Sequence, residues 1–118
     1  MTVDKPTSVR LGNLAHARSG DKGNRANIGV VANDEPSFVH LQDCLTSERV
    51  ERFLRPLGIG TVVRYELPKI QAFNFVIENA LAGGASRSLR LDTQGKALGT
   101  VLLEMPVPAM PEPETADE

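Results

Sequence analysis

The stretch Ala15–Ala32, A-H-A-R-S-G-D-K-G-N-R-A-N-I-G-V-V-A, decides how the rest of the chain is arranged. Its first part, Ala15 to Asn27, holds two glycines, three cations, one acid, one imidazole, one hydroxyl and two carboxamides. A connector between strands needs a turn pair and little more. This one has far more hydrogen-bonding capacity than turning requires, and donor-rich loops on a rigid scaffold are where binding chemistry concentrates. The sequence therefore predicts a functional polar loop between two strands. Val9, Leu11 and Asn13 alternate with Arg10, Gly12 and Leu14 in the strand before it. Ile28, Val30 and Ala32, with Val31 on the other side, predict a strand after it that is buried on both faces. Gly29 in that strand permits close approach by a backbone or a ligand.

Outward from there, Asn33, Asp34 and Pro36 mark a turn, and Phe38–Leu45 reads as a short helix. Thr46 is placed as the N-cap of a second helix, with Val50, Phe53, Leu54 and Leu57 on one face and Gly58 as its stop. Thr61–Leu67 alternates as a third strand, with Val63, Tyr65 and Leu67 on one side and Arg64 and Glu66 paired on the other. Pro68 opens a predicted helix whose stripe is Ile70, Phe73, Val76, Ile77, Ala80 and Leu81, stopped at Gly83 and Gly84. Leu89 and Leu91 mark a fourth strand. Ala97–Met105 follows the helical period, with a fifth strand as the rival reading.

This order predicts an α+β fold, a ferredoxin-like sandwich with about four strands and helices packed on one face. The other face is left for solvent or association. The two-sided apolar character of Ile28–Ala32 favours association. At 118 residues the chain is one domain. Residues 1–105 form it, and 106–118 form a Pro-rich acidic tail expected to be disordered or extended.

Composition narrows the function. The net charge of -2 includes four tail acids, Glu112, Glu114, Asp117 and Glu118, so the body without them stands at +2. A mildly cationic body suits a small anion better than a long polyanion. With no Trp, one Tyr and four Phe, base stacking has little to work with, and nucleic-acid binding is not expected. The one cysteine, Cys44, allows no intramolecular disulfide and fits a reducing compartment. The N-terminus has no signal-type apolar core. No apolar run approaches the roughly 20 residues of a membrane span. The expected location is the cytoplasm, without membrane contact.

The candidate ligand-binding residues are Arg18, Ser19, Gly20, Asp21, Lys22, Gly23, Asn24 and Asn27 of the polar loop, joined by Asn74, Gly83 and Gly84. Gly20 and Gly23 would let backbone N–H groups turn inward as an anion-binding nest, with Arg18, Lys22 and Arg25 adding positive charge. The Walker A spacing is absent. His16 is the candidate acid/base, oriented by Asp21 or Asn27. Asn74 interrupts the apolar run Ala72–Val76 and needs partners if buried. His40, Cys44 and His16 have no recognised metal-ligand spacing, so no metal or cofactor is expected. Cys44 reads as a buried small hydrophobe.

Several blocks, taken in order, resemble a known family. They are A-R-S-G-D-K-G-N-R-A-N-I-G-V (Ala17–Val30), L-T (Leu45–Thr46), V-V-R-Y-E-L-P (Val62–Pro68), A-F-N-F-V (Ala72–Val76) and L-A-G-G-A-S-R-S-L-R-L-D-T-Q-G-K-A-L-G (Leu81–Gly99). From about Val9 to Met105 they resemble the C-terminal domain of the acyclic terpene utilisation protein AtuA. Arg25 stands where the family pattern leads one to expect a smaller or acidic residue. The resemblance implies a ferredoxin-like fold. Its longer members carry this module behind a much larger domain and are associated with breakdown of branched terpenoid acids through acyl-CoA intermediates. It implies a stand-alone small protein with a larger AtuA-like subunit as partner. The resulting expectation is a homo-oligomeric binding and assembly module for an anionic ligand, such as an acyl-CoA or carboxylate. The alternative is a self-sufficient lyase or hydrolase using His16.

Overall fold

The computed structural model describes residues 7–22, 25–78 and 98–110, with the backbone alone of Asp21 and Lys22. Within them the strands are β1 (Ser8–Arg10), β2 (Ala15–Lys22), β3 (Arg25–Ala32), β4 (Val62–Leu67), β5 (Ala72–Glu78) and β6 (Pro106–Pro108). The helices are α1 (Glu35–Cys44), α2 (Ser47–Leu54) and α3 (Leu98–Leu102). β2, β3, β5 and β4 lie side by side in that order in one antiparallel sheet, and β1 pairs with β6 in a separate two-stranded ribbon. Moving β2 to the end of the chain order would give β-α-β-β-α-β, the ferredoxin-like arrangement. The fold is accordingly α+β and ferredoxin-like, with one sheet face covered by helices.

The polar stretch from Ala15 is no loop. Its residues form two long strands, and the pairing runs to Lys22↔Arg25 with only two positions between. Val9–Leu14, expected as the first strand, is the short β1 followed by a 3-10 turn at Leu11–Asn13. β2 was hidden because its helix-facing residues are small. Ala15, Ala17 and Ser19 sit under α3, where Gly99 lies almost against the β2 backbone.

β3 contains the expected Ile28–Ala32 but starts three residues earlier, at Arg25, and is buried on one face only. Ile28, Val30 and Ala32 are buried, whereas Asn27 and Val31 are exposed. The predicted helix from Pro68 is a 3-10 turn, Pro68–Ile70, followed by β5. Gln71 takes the left-handed conformation (φ 55°) and turns the chain back. Phe73, Phe75 and Ile77 then point into the core, and Asn74 and Val76 point away. The stripe misled because Phe73, Val76 and Ile77 satisfy the helical period over one turn, while F-N-F-V-I is made of strand formers.

α1 begins at Glu35, inside the stretch read as a turn, and Asp34 caps it, accepting the Ser37 N–H at 2.9 Å. Other readings hold. Thr46 caps α2 through the Arg49 N–H at 3.1 Å. Gly58 ends the following 3-10 turn with φ 83°. Arg64 pairs with Glu66 at 2.7 Å. Leu98–Leu102 is helical, as favoured for Ala97–Met105, but the helix stops short of Met105. Phe38 of α1 stacks on Phe73 at 5.1 Å, Phe73 neighbours Phe75 at 6.5 Å, and Val50, Leu54, Ile28 and Val30 complete the core. Pro106–Pro108, assigned to the tail, is extended and belongs to the folded body through Val9↔Val107. The readings on residues 79–97, including Gly83, Gly84 and the fourth strand, and on 111–118 lie outside the described residues.

Candidate functional site

The register sorts the chemistry onto one surface. Residues that pair across strands share a face, so the uncovered face of the sheet is built in rows. His16, Val31, Ala72 and Leu67 form one row. Arg18, Gly29, Asn74 and Tyr65 form the next. Gly20, Asn27, Val76 and Val63 form the third. Arg18 and Asn27, expected in a loop, and Asn74, expected on a helix, thus meet on three neighbouring strands. Asn27 donates its side-chain amide to the Asn74 side-chain oxygen at 3.1 Å. The pair is partly exposed and carries further donors and acceptors beyond that bond.

Two glycines open the β2–β3 half of this surface. Gly29 lies between Arg18 and Asn74, and a Cβ there would meet nothing closer than the Arg18 carbonyl oxygen at 3.9 Å. A Cβ at Gly20 would meet only the Asn27 side-chain oxygen at 3.5 Å. Neither has the left-handed φ that demands glycine. Glycine weakens a strand interior, and nothing within the described chain requires it at either position.

Hydrophobic exposure surrounds the opening. Val31 (41%), Val63 (44%), Tyr65 (53%), Leu67 (42%) and Ile70 (61%) all leave substantial surface in water. The apolar character of the open face therefore comes from β4 and Val31. Sequence reasoning missed Tyr65 as a site residue, although the alternation of Val63, Tyr65 and Leu67 already placed the three on one side.

The backbone nest does not form at Gly20. The bond from the Asn33 N–H to the Leu14 carbonyl sets the ladder's parity, and Gly20 exchanges its backbone bonds with Asn27. Ser19 faces the helices and accepts the Gly99 N–H at 2.9 Å, capping α3 from a neighbouring strand. Arg25 is bound to Glu78 at 3.0 Å. His16 is exposed on the open face. It is four residues along β2 from Gly20, the cross-strand neighbour of Asn27. That is about 13 Å at strand rise, too far for Asn27 to orient it. Asp21 pairs with Ala26, five residues along. Gly23, Asn24, Gly83 and Gly84 lie outside the described residues.

Elsewhere, an open groove of about 510 Å³ runs along the outer side of α1, lined by Glu35, Pro36, Val39, His40, Asp43 and Met110. Its two carboxylates repel an anion, and it holds none of the expected site residues. His40 is tied to the Pro108 carbonyl at 2.7 Å. Cys44 is buried, and burial pushes its thiol pKa up, with Arg49 opposing. Among the described residues no group of three His, Cys, Asp or Glu side chains is arranged to hold a metal. No described helix is long and apolar enough to cross a membrane.

No curated protein and no solved structure matches the chain significantly. A family model, that of the AtuA ferredoxin-like domain, matches residues 9–108, and the chain belongs to that family.

Proposed function

We propose that the protein is a binding and assembly module. Its open sheet face seats a small anionic ligand of acyl-CoA or carboxylate type and docks a larger subunit of the AtuA kind over it. Gly20 and Gly29 carry this reading: they leave a side-chain-free trough on the adjacent strands β2 and β3, where the chain's own packing needs no glycine. Arg18 stands beside the trough to meet negative charge, and the Asn27–Asn74 pair offers directional hydrogen bonds. Val31, Val63, Tyr65 and Leu67 give the rim the apolar surface that a protein partner or an acyl chain would cover. The setting, breakdown of terpenoid acids, follows from the family resemblance.

Calorimetric titration with coenzyme A tests the ligand, and co-purification with the larger subunit tests the partner. Gly29→Leu fills the trough and should abolish both while the fold is retained. Arg18→Glu should weaken coenzyme A binding at least tenfold. If both variants bind like wild type, the open face is not the site. The alternative of a self-sufficient enzyme predicts activity lost in His16→Ala. The separation of His16 from Asn27 and Asp21 gives that alternative no geometric support.

A further inference from the structure

The outer edge of β4 is complementary to itself, and we propose that it pairs antiparallel with β4 of a second copy of this chain, making a two-fold dimer in which the two described four-stranded sheets join edge to edge. This names the surface for the homo-oligomer expected above. It does not depend on ligand or partner binding at the open face.

Among the described residues β4 has β5 as its one neighbour. The bond from the Glu78 N–H to the Thr61 carbonyl fixes the ladder's phase. Residues 63, 65 and 67 therefore direct their backbone groups at β5. Arg64 and Glu66 direct their N–H and C=O groups outward. The edge lacks the usual guards: Val62–Leu67 contains no proline, lysine or bulge.

Symmetry leaves few registers. A two-fold axis perpendicular to the sheet must pass through a residue paired with its own copy. An axis at Arg64 sets two guanidiniums face to face, and one at Glu66 sets two carboxylates face to face, both unfavourable. An axis at Tyr65 sets Arg64 against Glu66 of the second copy twice over. It also sets Val63 against Leu67 of the second copy and the two tyrosines against each other. Arg64 and Glu66 exchange four backbone hydrogen bonds with the second copy. The Val62 N–H then faces the Pro68 carbonyl of the second copy, while the Val62 carbonyl, opposite a proline nitrogen that cannot donate, is left to solvent at the end of the ladder. The existing Arg64–Glu66 pair, at 2.7 Å, becomes a ring of four alternating charges.

Sedimentation velocity on the full chain across a wide concentration range tests this. The wild type should pass from monomer to dimer. Tyr65→Asp, at an exposed position, should keep its melting temperature and raise the dimer dissociation constant at least tenfold. Glu66→Arg should act similarly, by facing four guanidiniums across the edge. Tyr65→Cys puts thiols at a non-hydrogen-bonded cross-strand pair, about 4.5 Å apart at Cα, within disulfide reach. It should oxidise to a covalent dimer that the wild type, with Cys44 buried, does not form. A wild type monomeric at every concentration would overturn the proposal. So would a dimer indifferent to Tyr65→Asp, or a Tyr65→Cys variant that dimerises without crosslinking. Persistence of the dimer in Gly29→Leu separates this interface from the open-face site.

Discussion

Gly29 and Gly99 both neighbour Arg18, for opposite reasons. A Cβ at Gly99 would stand 3.2 Å from the Arg18 carbonyl carbon and 3.3 Å from the amide nitrogens of Arg18 and Ser19. Those atoms are backbone and cannot turn aside, so α3 would have to lift from β2. Gly99→Ala should therefore destabilise by about 1–3 kcal/mol, despite alanine's better helix propensity. Gly29→Ala meets nothing closer than the Arg18 carbonyl oxygen at 3.9 Å and removes unfolded-state freedom, so it should stabilise by about 0.5–1 kcal/mol while weakening coenzyme A binding. Thermal melts of the two variants should move in opposite directions. Cys44 supplies a second test at this scale. Burial raises its thiol pKa above the unfolded value. Its contribution is then complete below the unfolded thiol pKa of about 8.5 and is lost as pH rises through the folded value. The wild-type melting temperature should fall on the alkaline side of that range, and Cys44→Ala should flatten the fall.

Among the elements, the junction of α1 and α2 hangs on Arg64 of β4. Its guanidinium donates to the Leu45 carbonyl at 2.8 Å and the Gln42 carbonyl at 3.2 Å, pairs with Glu66, and lies 5.2 Å from the Phe73 ring centre. A lysine has neither the fork nor the plane to repeat this. Arg64→Lys should cost about 1–3 kcal/mol in chemical denaturation. The start of α1 is pH-sensitive in the other direction. Hydrogen bonds from the Ser37 side chain, and then from its N–H, hold the Asp34 carboxyl below its ordinary pKa. Its contribution is present above the unfolded carboxyl pKa and is lost as pH falls through the folded one. Asp34→Asn keeps a cap that does not titrate and should remove part of the acid loss, read by melts at falling pH. The Thr46 cap and the Arg64–Glu66 pair were legible because each depends on residues a few positions apart, whereas the Asp34 cap was read only as a turn. β2 and β5 were not, since distant partners decided them. Ala15, Ala17 and Ser19 are small because α3 approaches closely, and Asn74 is polar because it crosses to Asn27. The site residues Arg18, Asn27 and Asn74 could be read from residue type, but their meeting required the β3–β5 register. Tyr65 and the opening at Gly29 emerge only when the four strands are laid side by side.

For the molecule as a whole, the C-terminal segment does two separable things. Met105 and Val107 are each 1% exposed, and the Leu11 N–H donates to the Met105 carbonyl at 2.8 Å. The β1–β6 ribbon therefore closes the core beside α3. Beyond it lie four acids without a base, Glu112, Glu114, Asp117 and Glu118, and without their charge the body passes from -2 to +2. Two truncations separate these roles. Ending the chain after Glu104 removes two buried side chains at about 1.5–3 kcal/mol each, together with the ribbon's ladder. That approaches the whole stability of a small domain, about 5–15 kcal/mol, and the cooperative melt should collapse. Ending it after Met110 keeps every described residue, so the melting temperature should hold. Its coenzyme A affinity should rise at low ionic strength, since fewer acids oppose the ligand. The gain should vanish in about 1 M salt, where the screening length falls to about 3 Å. An affinity gain that survives high salt would mean that the tail acts by covering the open face rather than by its charge.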